Sequence, residues 1–353
     1  MTLSQAAPGS TLDTARRLAP GIALALVVAL AATALEPGLR QMTGGRFGIP
    51  AMVIALIIGV MLHNVAARPL FEPGLTFCVK KLLRWAIGLL GLRIALGDIV
   101  ELGLPTALLV VASMVATVAA GIWLARLLGR SDGYGALAGA ATAVCGASAT
   151  LATATVVPNY KEKGADITFT VVAANAVSTL VMVAYPPLCA WLGFDDRQTG
   201  IMLGATIHDM AQVVGAGYAV SEPVGNTAVI VKLFRVFLLL PAVLLIGWWF
   251  IRQGAQTGEA KVPVPVFALV FLALCLVNSV MPLMPALMPA YLPVKSLLSQ
   301  ASGWGLLIAI AALGLGTSIT AILRIGWRHV AVFMGTTFVI FAIVTGALVA
   351  AGP

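Results

Sequence analysis

Two stretches of the chain, Gly59-Val60-Met61-Leu62-His63-Asn64-Val65-Ala66 and Gly204-Ala205-Thr206-Ile207-His208-Asp209-Met210-Ala211, place a glycine, a histidine and a polar neighbour at the same spacing inside otherwise apolar runs. Working outward, Lys81-Leu82-Leu83-Arg84 matches Lys232-Leu233-Phe234-Arg235, and Gly146-Ala147-Ser148-Ala149-Thr150 matches Gly316-Thr317-Ser318-Ile319-Thr320. The three matches keep their order, as an internal repeat requires. A fourth, Leu90-Gly91-Leu92 with Leu313-Gly314-Leu315, falls in a conflicting register. It is purely apolar and is outweighed by the other three.

The background of these motifs is that of a membrane protein. Of 353 residues, 60% are hydrophobic and 10% charged, against roughly a quarter charged in a soluble domain. The mean hydropathy is +1.03. Apolar runs of about 20 residues suit bilayer-spanning helices, and the short alternating segments of a membrane β-barrel are absent. Pro, Gly and charge divide the chain into about eleven candidate transmembrane helices. The fifth, seventh and tenth are predicted near residues 134–157, 198–219 and 301–322. The expected fold is therefore all-α and integral to the membrane. Helices two to six and seven to eleven would form two five-helix repeats, inverted because five is odd, with the first helix as an extra element. The corresponding divisions are 1–47 for the N-terminal tail and extra helix, 48–193 for the first repeat and 194–353 for the second.

The first helix follows Arg16-Arg17 and ends near Ala32-Thr33-Ala34, a pattern that a cleaved signal peptide also shows. Its apolar length of about 18 residues favours retention. The formal charge of +8 resides largely in short loops and carries no nucleic-acid motif, so no nucleic-acid partner is expected. With eleven crossings, the side of the N-terminus collects Arg16, Arg17, Arg68, Lys80, Lys81, Arg84, Arg126, Arg130, Arg197, Arg252, Lys261, Arg324 and Arg328. The opposite side holds Arg40, Arg46, Lys161, Lys163 and Lys295. The positive-inside rule then predicts a cytoplasmic N-terminus and an outer C-terminus in the cell (inner) membrane.

Gly146 and Gly316 lie mid-membrane among small and hydroxyl residues, where the fifth and tenth helices can break. Helix N-termini exposed at such breaks offer N–H donors and partial positive charge to an anion. The candidate substrate-binding set is Gly146, Ala147, Ser148, Thr150, Gly316, Thr317, Ser318 and Thr320, with Lys232 and Arg235 adding positive potential. The competing explanation is close helix packing through small residues. His208, Asp209 and Gln212 form the candidate coupling set, because ionisable groups inside a membrane helix are costly and usually functional. Gln212 follows His208 by four residues, which places both on one helical face about a turn apart. Bracing of two helices is the alternative role. Lys81 and Arg84 are expected to snorkel to the interface, while Asn175 and Asn278 suit interhelical hydrogen bonds.

With Gly204–Val214, Lys232–Arg235, Cys145–Ser148 and Leu313–Leu315 taken together, the chain resembles the YeiH-type sulfate exporter family over roughly residues 20–350. The resemblance implies kinship with cation/proton antiporters and bile-acid-type sodium symporters. In that group a core domain with two crossing broken helices moves against a panel domain. Carried over by position, the crossover falls at Gly146–Thr150 and Gly316–Thr320.

The sequence thus points to a secondary transporter for a small anion, sulfate or organosulfonate-like, coupled to a proton or sodium. A monovalent-cation/proton antiporter using Asp209 is the alternative. Cys78, Cys145, Cys189 and Cys275 are far apart, so no disulfide, metal site or cofactor is expected. An enzyme is disfavoured, since His63, His208 and His329 enter no catalytic spacing. A homodimer through a scaffold domain fits the same architecture.

Overall fold

In the computed structural model, residues 11–42, 51–255, 265–316 and 327–352 are described, and they form helices with no strand among them. In chain order these are α1 (Thr11–Met42), α2 (Ala51–Met61), α3 (His63–Ala66), α4 (Glu72–Phe77), α5 (Leu83–Leu90), α6 (Leu96–Glu101), α7 (Gly103–Leu127), α8 (Asp132–Ala143) and α9 (Ala147–Val156). There follow α10 (Lys163–Trp191), α11 (Asp196–Thr206), α12 (Met210–Val220), α13 (Glu222–Phe237), α14 (Leu239–Arg252), α15 (Val266–Val280), α16 (Met288–Gly316) and α17 (Trp327–Ala351). A π-helical turn, Cys78–Leu82, joins α4 to α5. Among the described residues, seven helices are long and apolar enough to cross a membrane. Large apolar side chains such as Trp85, Leu104, Trp123 and Leu245 face outward, which lipid, unlike water, tolerates.

The helices sort into two bundles. The first contains α1, α2, α4, α5, α15 and α16, with α16 packed along α1, α2 and α5. Small residues allow that closeness. A Cβ on Gly59 would lie 2.8 Å from the Ala311 carbonyl, and one on Gly314 would lie 2.5 Å from that of Leu56. The second bundle contains α7 to α14 and α17, with α7 against α8 and α17, and α13 against α11 and α12. The bundles touch where α12 meets α2 and α16.

Polar contacts identify the two ends of the molecule. At one end Arg130 bonds Glu162 at 2.6 Å, and the Tyr134 hydroxyl donates to the His329 carbonyl at 2.7 Å. At the other, Arg197 donates to the Glu101 carbonyl at 2.8 Å and Gln198 to that of Gly352 at 2.7 Å. The 29 residues of α10 connect the two ends, a rise of about 44 Å. Arg93, just beyond α5, pairs at 3.6 Å with Glu222, next to Ser221 at the second end, and the helical run back from Leu90 to Glu72 leads away from it. Gly21 abuts Phe71 at the start of that run, so the start of α1 belongs with the first end and Gly352 with the second.

These ends overturn one expectation. The fifth and seventh segments do not cross; each is a hairpin that returns to the end it left. A Cβ on Gly133, at the start of α8, would lie 2.5 Å from the Tyr160 ring just beyond α9. The Ser221 hydroxyl beyond α12 donates to Asp196 at the start of α11 at 3.1 Å. Arms of 12 and 10 residues in one hairpin and 11 and 11 in the other reach about 15–18 Å, half of a hydrocarbon core of about 30 Å. The eleven-crossing count therefore falls by two. Lys161 and Lys163 move to the end of the N-terminus, and Arg197 moves to the opposite end. Local chemistry marks the bases of both hairpins. Ser131 caps α8 by accepting from Tyr134 N at 3.1 Å. Asp195 and Gln198 form a reciprocal capping box on α11, with contacts of 2.7 and 3.2 Å. Ser221 then caps α13 at 3.2 Å.

Candidate functional site

The hairpins approach from opposite ends and meet at their tips, Val144-Cys145-Gly146 and Ile207-His208-Asp209. A Cβ on Gly146 would lie 3.7 Å from the His208 carbonyl. Gly146 has φ +63° and ψ −121°, backbone geometry open essentially to glycine alone. It turns the chain from the C-terminus of α8 into the N-terminus of α9.

Each tip therefore presents two helix ends. The C-termini of α8 and α11 bring unpaired carbonyls and partial negative charge into the membrane interior, where no water can satisfy them. Lys232 and Arg235, three residues apart on α13 and fully buried, supply the missing donors. The Lys232 ammonium donates to the carbonyls of Val144 at 2.7 Å, Ile207 at 2.8 Å and His208 at 2.5 Å. Arg235 donates through Nε to Ala143 at 2.9 Å and through Nη2 to Thr142 at 2.6 Å. Its Nη1 reaches Gly204 at 2.9 Å and Ile207 at 3.1 Å. The pair clamps both tips together.

The donors of these cations are committed to backbone carbonyls, so toward the tips they can act as charge rather than as ligand contacts. The remaining helix ends are the N-termini of α9 and α12. Ala147 and Ser148, in the first turn of α9, are half-buried, and first-turn N–H groups have no acceptor within their own helix. Thr150 is buried and donates its hydroxyl to the Gly146 carbonyl at 3.0 Å, so it braces the turn instead of offering a free donor. Gly316 is the exposed last residue of α16. Thr317, Ser318 and Thr320 lie outside the described residues. Among the described residues, the segment that meets Gly146 is the seventh, where the sequence pointed to the tenth.

The coupling candidates also separate. His208 is outside any helix, and Gln212 is in the first turn of α12, so the one-face arrangement fails because the helix breaks between them. His208 is fully buried. Its Nε2 lies 2.9 Å from the Thr337 hydroxyl of α17, and its ring stacks on Phe333 at 5.5 Å between centroids. Gln212 donates to Thr179 at 3.4 Å. His208 Nδ1 and Gln212 Oε1 are buried without a partner. Asp209 is half-buried and caps α12, accepting from Ala211 N at 2.9 Å. Its own N–H donates to the Ser178 hydroxyl of α10 at 3.0 Å. Lys232 acts on it electrostatically, and so does exposed Arg84 of α5 in the other bundle.

Sequence inspection passed over Ser178 and Thr337, and it assigned Arg84 to the interface. The available signal was Asp209 itself, since Asp followed by an apolar helical run is a helix start, here in mid-segment.

Comparison with known proteins agrees with a membrane assignment. The description Conserved hypothetical protein 698 matches residues 20–334. The chain belongs to this family. Family relatives include the UPF0324 membrane protein CT0845 of Chlorobaculum tepidum, 36% identical over 94% of this chain and 90% of the relative. The UPF0324 membrane protein TauZ of Paracoccus pantotrophus is 38% identical over 93% of this chain and 94% of its own length. The UPF0324 membrane protein RB0971 of Rhizobium meliloti is 38% identical over 91% and 90%. The match is consistent with the YeiH-type resemblance; these relatives are named as membrane proteins, and the seven candidate spans make this chain a multi-pass one. No solved structure matches the chain.

Proposed function

We propose that the protein is a secondary transporter that moves a small anion, sulfate or organosulfonate-like, across the inner membrane by alternating access. One observation carries the reading: two buried cations and two helix N-termini converge on the hairpin tips against a single carboxylate. Because the C-terminal dipoles cancel those at the N-termini, the local sum is about one positive charge. An anion held by the first-turn N–H groups of α9 and the Ser148 hydroxyl complements that charge. The bundle of α7 to α14 and α17 acts as the moving core and the other bundle as the panel, from which Arg84 faces Asp209 and the substrate.

The hairpins fall on either side of the 193/194 division and approach from opposite ends, as two inverted repeats would. The end bearing Arg16, Arg17, Arg126, Arg130, Lys161, Lys163, Arg252 and Arg328 faces the cytoplasm by the positive-inside rule, which places the C-terminus outside. Asp209 supports a second reading, monovalent-cation/proton exchange, because it is the half-buried carboxylate at the tips. Its commitment to capping α12 favours the anion reading.

The test is efflux of labelled sulfate and of a labelled alkyl sulfonate from proteoliposomes, with and without imposed pH and sodium gradients, alongside Ser148→Ala. Gradient-sensitive anion efflux weakened by the substitution supports the proposal. Sodium/proton exchange without anion movement overturns it in favour of the antiporter.

A further inference from the structure

Away from the tips, at the end where α8 begins, a second group of ionisable side chains, one buried and two half-buried, meets between three elements. His329 in the first turn of α17 places Nε2 at 2.9 Å from Asp166 Oδ1 of α10 and 2.7 Å from Arg130 Nη2, which comes from the α7–α8 connection. One ring nitrogen cannot serve both neighbours. Unprotonated, Nε2 accepts a hydrogen bond from the guanidinium; carrying a proton, it donates to the carboxylate and repels the guanidinium. Arg130 has a second partner already in place, since Nη2 lies 2.6 Å from Glu162 and 3.4 Å from Asp166.

The surroundings fix the imidazole and leave its pairing to change. The Tyr134 hydroxyl of α8 donates to the His329 carbonyl at 2.7 Å. The Tyr134 ring stands edge-on to the imidazole at 4.8 Å, and Phe169 lies at 5.2 Å. The Asp166 side chain is 2% exposed, and Arg130 Nε is buried without a partner. Burial, reinforced by Asp166, pushes the Tyr160 phenol up from its ordinary value, so it stays neutral. The remaining charged neighbours are Asp132 of α8, held bidentately by Arg126 of α7 at 2.7 Å, and Arg328 beside Gly129.

We propose that His329, Asp166 and Arg130 form a proton-binding site in which proton uptake by His329 breaks its contact with Arg130 and leaves Arg130 to Glu162. The proton comes from the solvent at that end, adds to Nε2 and is then shared with Asp166 Oδ1. Arg130 keeps its charge, and the group's net charge rises by one. The same α17 carries Thr336, 2.9 Å from Thr142 at the end of α8, and Thr337, bonded to His208. Proton occupancy at its first turn is thereby transmitted to both hairpin tips. The proton-binding step is independent of which substrate, if any, the tips hold.

The experiment uses the full-length protein in nanodiscs with 15N-labelled histidine. The chain has three histidines, and His329→Gln assigns the third ring signal. The His329 ring signals are followed against pH, and proton uptake should convert them from the neutral to the doubly protonated pattern. Arg130→Gln should raise the ring's proton affinity and Asp166→Asn should lower it, each by about tenfold, one pH unit. Exposed Glu162→Gln, which is the least disruptive to folding, should lower it about threefold. Hydrogen exchange of residues 142–150 should follow the same titration in the native chain and lose it in His329→Gln. A ring that does not titrate, or Arg130 and Asp166 variants that shift it in the same direction, would overturn the proton site. Titration without any change in exchange at 142–150 would overturn the transmission to the tips. None of these readouts depends on transport, so failure of the anion proposal leaves them interpretable.

Discussion

The tip at Gly146 turns on a glycine at φ +63°, is made of small neutral residues and opens onto a helix N-terminus with a half-buried serine. The tip at His208 turns with Ile207 at φ −67° and Asp209 at φ −106°, both extended conformations accessible to ordinary residues. It fills its N-terminus with its own carboxylate. Both tips rest on the same two cations. The comparison teaches a division of labour: the Gly146 tip leaves donors available to a ligand, whereas the His208 tip spends its N-terminus on Asp209 and its imidazole on α17.

The largest expected effect comes from removing what the tips share. Arg235→Ala leaves the carbonyls of Ala143, Thr142, Gly204 and Ile207 short of donors, and each orphaned buried group costs about 1–3 kcal/mol. Folded protein should be lost in size-exclusion chromatography. Arg235→Lys should recover only part, since an ammonium cannot reproduce the planar fork. If Arg235→Ala stays monodisperse with native thermal stability, the clamp is not what holds the tips together.

Gly146→Ala tests the first tip alone. The new methyl would meet Ala174 at 3.5 Å, an ordinary contact, so the cost is conformational, about 1–3 kcal/mol. A thermal midpoint unchanged by this substitution would mean that the turn tolerates another geometry.

At the second tip, Asp209→Ala should cost about 0.5–2 kcal/mol for the lost cap, while Asp209→Asn keeps the cap and should cost less than about 0.5 kcal/mol. The two variants separate capping from charge. Asp209→Asn should abolish the pH dependence of anion efflux if Asp209 binds the coupling proton, and unchanged dependence counts against that role.

The smallest effect on stability belongs to Ser148→Ala, within about 0.5 kcal/mol, and it should appear as a several-fold higher KM for anion efflux. An equal effect from Thr150→Ala, whose hydroxyl is already bonded to Gly146, would show that the hydroxyls act through the fold and not on the ligand.

Composition and the apolar runs made the membrane class legible, because a bilayer demands apolar helices whatever their arrangement. The residues of both tips and the clamp were also visible, as glycine, charge and imidazole in apolar surroundings. Hidden was the course of the fifth and seventh segments. A run of about 24 residues with a glycine or a His-Asp pair at its centre has the length of one crossing or of two half-length arms, and hydropathy is the same for both. Only packing distinguishes them, through Gly133 against Tyr160 and Ser221 against Asp196.

The sequence by itself determined that this chain is an all-helical membrane protein with buried cations and breakable helices, because each of those properties is set by residue type. Tertiary structure decided which breaks face each other, and that Lys232 and Arg235 serve carbonyls. It also decided that His329, 163 residues from Asp166, shares a site with it. Those outcomes depend on which helix ends converge, and a helix end left without water must find its partners wherever the fold brings them.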